Sequence, residues 1–85
     1  MEYKVLIKLY VPEIEENYEM YIPVNKTINE ILQLLNKMVN DLSKVYPITS
    51  TVNLYNRQSG VMYPRGQLVR DTDIRNGSEL VFLAE

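Results

Sequence analysis

The chain is 85 residues long, 46% apolar and 24% charged, the make-up of one small globular domain with a single core. It has no cysteine and no histidine, which removes disulfides, thiol nucleophiles, cysteine-ligated metals and the commonest general base. Nine basic against eleven acidic residues leave a net charge of −2, a poor attractor for nucleic acid or an anionic membrane. Lys4, Lys8 and Glu13 interrupt the early apolar residues, and no apolar run reaches membrane-spanning length, so a cytoplasmic protein is expected.

From the N-terminus, Tyr3, Val5, Ile7, Leu9 and Val11 alternate with Lys4, Leu6, Lys8 and Tyr10, the period of a half-buried strand that Pro12 ends. An acidic connection over Glu13 to Asn17 leads to a second alternation, with Tyr18, Met20, Ile22 and Val24 on one side and Glu19 and Tyr21 on the other. The two runs predict a hairpin, and Pro23, which has no amide to donate, puts the second strand at a sheet edge.

Thr27 and Glu30 are spaced as a capping box, so a helix is predicted from Ile28. At roughly 100° per residue, Ile28, Ile31, Leu32, Leu34, Leu35, Met38, Val39, Leu42 and Val45 form one apolar stripe. That stripe is read as the face lying on the sheet, with the helix ending near Lys44 to Tyr46 because Pro47 follows. A loop containing Thr and Ser then leads to a strand in which Val52 and Leu54 alternate with Asn53 and Tyr55. A turn over Arg57 to Gly60, a short strand over Val61 to Tyr63 and a turn at Pro64 to Gly66 come next. Leu68 and Val69 anchor a long crossing loop, Asp71 is expected to accept backbone hydrogen bonds within it, and Ile74 plugs the core. Asn76-Gly77 supplies the positive φ for entry into a last strand with Leu80 and Phe82 inward.

The order β-β-α-β-β-β, with the first and last strands as parallel central neighbours, predicts an α+β fold: a β-grasp over residues 1–85, its mixed sheet of four to five strands covered by one helix. Val69, Asp71, Ile74, Gly77, Leu80 and Phe82 resemble the closing segment of ubiquitin-like proteins. Conjugating members of that fold, and sulfur carriers that share it, run on to a Gly-Gly carboxylate; here Leu83-Ala84-Glu85 follows the last strand, so tail chemistry is not expected. Size, truncation and the asparagine- and lysine-containing helix resemble the YukD/EsaB-type proteins of Gram-positive type VII secretion. That resemblance implies a cytosolic, non-conjugating accessory or regulator.

Strand parity names the candidate surface. With Val5, Ile7, Leu9, Val52, Leu54, Leu80 and Phe82 inward, the open side of the sheet carries Leu6, Tyr55, Val81 and Leu83, bordered by Lys4, Lys8 and Arg57. A contiguous apolar patch on so small a domain indicates a protein partner; the alternative is scattered strand-compatible residues that bind nothing. Partner-binding residues are therefore expected to be Leu6, Lys8, Tyr55, Arg57, Val81 and Leu83. The seven tyrosines do not make a base-stacking platform in an acidic chain. Glu13, Glu15 and Glu16 read as a solvated turn rather than a metal site, and Asp71 and Asp73 do not read as a catalytic pair. No catalysis, cofactor or metal is expected. The other reading is a β-grasp scaffold or regulatory subunit of a larger enzyme assembly.

Overall fold

The computed structural model describes residues 3–42 and 51–84. Strands β1 (Lys4–Val11) and β2 (Glu16–Pro23) form the predicted hairpin, followed by helix α1 (Ile28–Leu42), strand β3 (Val52–Asn56), a single 3₁₀ turn at Val69–Asp71 and strand β4 (Ser78–Ala84). The sheet order is β2-β1-β4-β3, with β1 and β4 parallel and both outer pairs antiparallel. This is the β-grasp arrangement. The expected order had one strand too many: Val61 to Tyr63 contributes only an isolated bridge between Tyr55 and Met62. The Asn56 amide donates to the Val61 carbonyl and the Tyr63 amide to the Leu54 carbonyl, after which Pro64 turns the chain away.

Alternation decides what is buried. Ile7, Leu9 and Val11 of β1, Val52 and Leu54 of β3, and Leu80 and Phe82 of β4 are all inside, against Ile28, Ile31, Leu32, Leu35 and Val39 of α1. Val69 and Ile74 close the same core from the crossing loop. Pro23 lies on an outer strand, and its position explains why it is tolerated. The Val24 amide donates to the Tyr3 carbonyl, so alternate residues from Val24 back through Ile22 and Met20 face β1. Pro23 therefore faces away, where no ladder amide is needed.

The helix start is bound on every side. The Thr27 amide donates to Glu30 Oε1 at 2.9 Å and the Glu30 amide to Thr27 Oγ1 at 3.2 Å, closing the capping box. The Thr27 amide, and the Thr27 hydroxyl donating to the same oxygen at 3.2 Å, hold the Glu30 carboxyl below its ordinary value. The next orphan donors of the first turn are met from the loop after β3: Ile28 donates to the Gln67 carbonyl and Asn29 to that of Arg65. The Arg65 side chain donates to Asn29 Oδ1 at 2.7 Å and to the Val52 carbonyl, tying the helix start to β3.

Three expectations change. Leu34 is 54% exposed, so the buried stripe is narrower than predicted, and Leu42, in line with Leu35 but at the last residue of α1, is 60% exposed. Leu34 stands roughly 100° around the helix from Leu35, beyond the edge of the sheet-facing arc. In the crossing loop Thr72, not Asp71, makes the local bonds: its hydroxyl donates to the Val69 carbonyl at 2.6 Å and accepts from the Ile74 amide at 3.1 Å. A buried hydroxyl with both functions satisfied fixes Ile74 in the core in a way an exposed carboxylate does not. The acidic turn is not merely solvated, because Glu13 Oε2 accepts the Ala84 amide at 2.8 Å and ties the turn to β4. The predicted helix end, with Val45 and Pro47, and the Thr/Ser loop after it lie outside the described residues.

Leu35 is 2% exposed at the centre of the core-facing arc, whereas Leu34 is mostly in solvent. Leu35→Ala is expected to cost about 2–5 kcal/mol in denaturant unfolding, and Leu34→Ala less than about 0.5 kcal/mol. Equal losses at the two positions contradict this orientation of the helix.

Candidate functional site

The open face of the sheet is set out by its register. Tyr10 of β1 is level with Asn17 of β2 and Val81 of β4, and Val81 is level with Tyr55 of β3. One row of side chains, Asn17, Tyr10, Val81 and Tyr55, thus crosses the whole sheet. The neighbouring row is charged. Lys8 lies between Glu19 and Glu79, and the Arg57 amide donates to the Glu79 carbonyl just beyond β3. On the other side of the apolar row, Leu83 is paired with Asn53.

Arg57 does not stand at the margin where the sequence put it. Its guanidinium lies 4.7 Å from the centre of the Tyr10 ring, in cation–π distance, and donates to Asn17 Oδ1 at 3.4 Å. From the end of β3 the side chain therefore reaches across β4 to β1 and β2. Its stem and charge lie over the face as a cover rather than a border.

Of the six expected residues, Tyr55, Val81, Leu83 and Arg57 come together, with Lys8 in the adjoining row. Leu6 does not join them. It is level with Tyr21, four residues and roughly 13 Å along β1 from Tyr10, with the Lys8 row between. Tyr10 takes its place at the centre. Outward parity marked Tyr10 for this face, but only register brings it beside Val81. Tyr10, Tyr55, Val81 and Leu83 are each half-buried; more exposed large apolar side chains include Tyr21, level with Leu6 on the outer strand of the same face, Leu34 on the helix, and Val61 and Met62 after β3.

Leu6 has a different role. Its amide donates to Asn76 Oδ1 at 2.8 Å, and its carbonyl accepts from Gly77 at 2.8 Å. Gly77 has φ +88°, the left-handed geometry expected of the Asn-Gly turn. The turn therefore fastens the start of β4 to β1 and sets the register of the open face.

A second polar cluster lies at the end of β3. The Tyr63 hydroxyl donates to Asp73 Oδ1 at 2.7 Å, and Asn56 Nδ2 approaches both, at 3.3 and 3.4 Å. Asn56, Asp73, Asn76, Ser78 and Glu79 line a shallow polar cleft of about 330 Å³. The Asp73 carboxylate is occupied in holding a buried phenol, a structural role. Among the described residues, no three acidic side chains converge as metal ligands.

No protein-family model and no curated protein matches the chain. Solved structures do. A ubiquitin from Caldiarchaeum subterraneum matches with 16% identity and a TM-score of 0.72, over 96% of this chain and 94% of that one. A chain of the toluene 4-monooxygenase HD complex matches at 10% identity and a TM-score of 0.77, over 96% of this chain and 99% of that one. A chain of the ESX-5 inner membrane complex matches at 17% identity and a TM-score of 0.69, over 99% of this chain but only 22% of that one. At these identities the likeness establishes the ubiquitin-like β-grasp fold and not a family. No helix among the described residues is long and apolar enough to cross a membrane.

Burial, then the Asp73 carboxylate, pushes Tyr63 up to about 12 from an ordinary 10.0. Folding thus favours the neutral phenol. The resulting stabilisation is complete below pH 10 and lost as the pH rises from there toward about 12. Absorbance titration is expected to show one late-ionising tyrosine that disappears in Tyr63→Phe and ionises earlier in Asp73→Asn. A late group that persists in Tyr63→Phe contradicts the assignment.

Proposed function

We propose that this chain is a non-conjugating ubiquitin-like protein-binding module whose open sheet face captures a protein partner. The observation that carries the reading is the row Asn17, Tyr10, Val81 and Tyr55, continuous across all strands of the sheet, with Arg57 laid over Tyr10. Half-buried aromatic and aliphatic groups beside an exposed arginine have the character of an interface centre, where a partner completes the desolvation that the arginine begins. Lys8, Leu83 and Arg57 complete the binding set, and the partner is expected to offer an acidic group to the guanidinium. Leu6, two rows away on the same face, is the outlying sixth member.

Gly60, Gly66 and Gly77 are separate and belong to turns of the domain, so none of these three glycines is a reactive tail. The finer reading is a cytosolic accessory or regulator of a type VII-like secretion system. It is supported by the resemblance to YukD/EsaB-type proteins and by the recurrence of this fold within a much longer chain of the ESX-5 inner membrane complex. The second reading is a β-grasp subunit of a larger enzyme assembly. Its support is the match to nearly a whole chain of the toluene 4-monooxygenase complex. An obligate subunit buries a large area and stays assembled through gel filtration, whereas an accessory exchanges.

The test is capture from the native cytosol with Tyr55→Ala/Val81→Asp beside the unaltered chain, folding checked by circular dichroism. The double variant is expected to fold and to lose at least about 2 kcal/mol of partner affinity. Equal capture by a folded double variant excludes this face. A partner that co-elutes at fixed stoichiometry through gel filtration favours the enzyme-subunit reading over the accessory one.

A further inference from the structure

The outer edge of β2 is a second surface, independent of the open face. β2 is the last strand on its side of the sheet, and no hydrogen bond from the described residues reaches the backbone of Glu19 or Tyr21. Because Ile22 and Met20 face β1, the amides and carbonyls of Asn17, Glu19 and Tyr21, with the carbonyl of Pro23, point outward. Beside them the core is incompletely closed. An apolar groove of about 250 Å³ runs between β2 and α1, lined by Met20, Ile22, Leu34, Leu35 and Met38. Tyr21 and Leu34 at its margins are 65% and 54% exposed.

Charge selects the occupant. β2 enters from an acidic turn, with Glu15 and Glu16 exposed, and its far end leads to exposed Lys26. An identical strand laid antiparallel brings acidic end to basic end, twice. We propose that the β2 edge pairs with β2 of a second copy of this chain, antiparallel about Met20, with Glu15 and Glu16 of each copy against Lys26 of the other.

The register follows from the groups on offer. With Met20 opposite Met20, Glu19 and Tyr21 exchange both backbone bonds with Tyr21 and Glu19 of the second copy. Asn17 then donates to the Pro23 carbonyl, the one bond that proline allows. A shift one way sets Glu19 against Glu19; a shift the other way sets Glu19 against Pro23, which returns no bond. Edge charges and prolines usually discourage such pairing, but in this register neither obstructs it. Leu34 and Met20 of both copies come together over the two-fold axis, covering the grooves with apolar surface.

Sedimentation equilibrium tests the proposal. The unaltered chain is expected to dimerise with concentration, more weakly in high salt. Tyr21→Pro removes an outward amide and no β1 bond, so it is expected to remain monomeric with an unchanged circular dichroism spectrum. A charge-reversed series bypasses any folding defect in that variant. Glu15→Lys/Glu16→Lys and Lys26→Glu should each weaken association at least tenfold, and the three substitutions together should restore it. Tyr55→Ala/Val81→Asp should dimerise normally, which separates this edge from the open face. A monomer up to about 1 mM, where even weak contacts show, overturns the proposal. So does a folded Tyr21→Pro that still dimerises, a triple variant that stays weak, or a monomer that takes up a foreign extended peptide at this edge.

Discussion

The parallel contact between β1 and β4 is the constraint on which the rest of the molecule depends. Two strands from opposite ends of the chain lie side by side at the sheet centre, Ile7 level with Ser78 and Leu9 level with Leu80. A parallel pair needs a long crossover and has no tight turn to set its register. Here the register is set at the start of β4, where Asn76 and Gly77 grip both backbone groups of Leu6. That grip places Ile7, Leu9, Leu80 and Phe82 under the helix and Tyr10 beside Val81 on the opposite face. A slip of one residue exchanges the two faces and removes the core and the candidate site together.

The helix is held in place by the same crossover. Its first-turn amides are received by Arg65 and Gln67, and Thr27 makes a bridge to Leu68. The chain then reaches β4 through Val69, Thr72 and Ile74, all buried. Helix capping, loop closure and strand register are therefore one connected set of bonds. In a domain this small, no separate core exists to absorb the loss of one of them.

Wherever a local period governs, the sequence was readable. Alternation along Val5 to Val11 and Val52 to Tyr55 assigned faces correctly, and Thr27 with Glu30 marked the helix start. Leu34 departs from the pattern because an apolar residue at the flank of a helix fits the period without being covered. The remaining differences are non-local. The Glu13 carboxylate meets the end of β4 71 residues later, and the Arg57 guanidinium meets Asn17 from 40 residues away. Tyr10 became the centre of the candidate face through its level with Val81, and Thr72 replaced Asp71 because burial rewards a hydroxyl that both donates and accepts. Each depends on what folding brings together, which no period in the chain records.

Native-state hydrogen exchange tests the central claim most directly. With Leu6 turned toward β4, alternation also turns the amides of Lys8 and Tyr10 that way; with Glu79 bonded to Arg57, the amides of Leu80 and Phe82 face β1. These four are expected to be the slowest in the molecule, exchanging only with global unfolding. If they exchange by local opening while amides of α1 remain protected, the β1–β4 pair is not what holds the fold together.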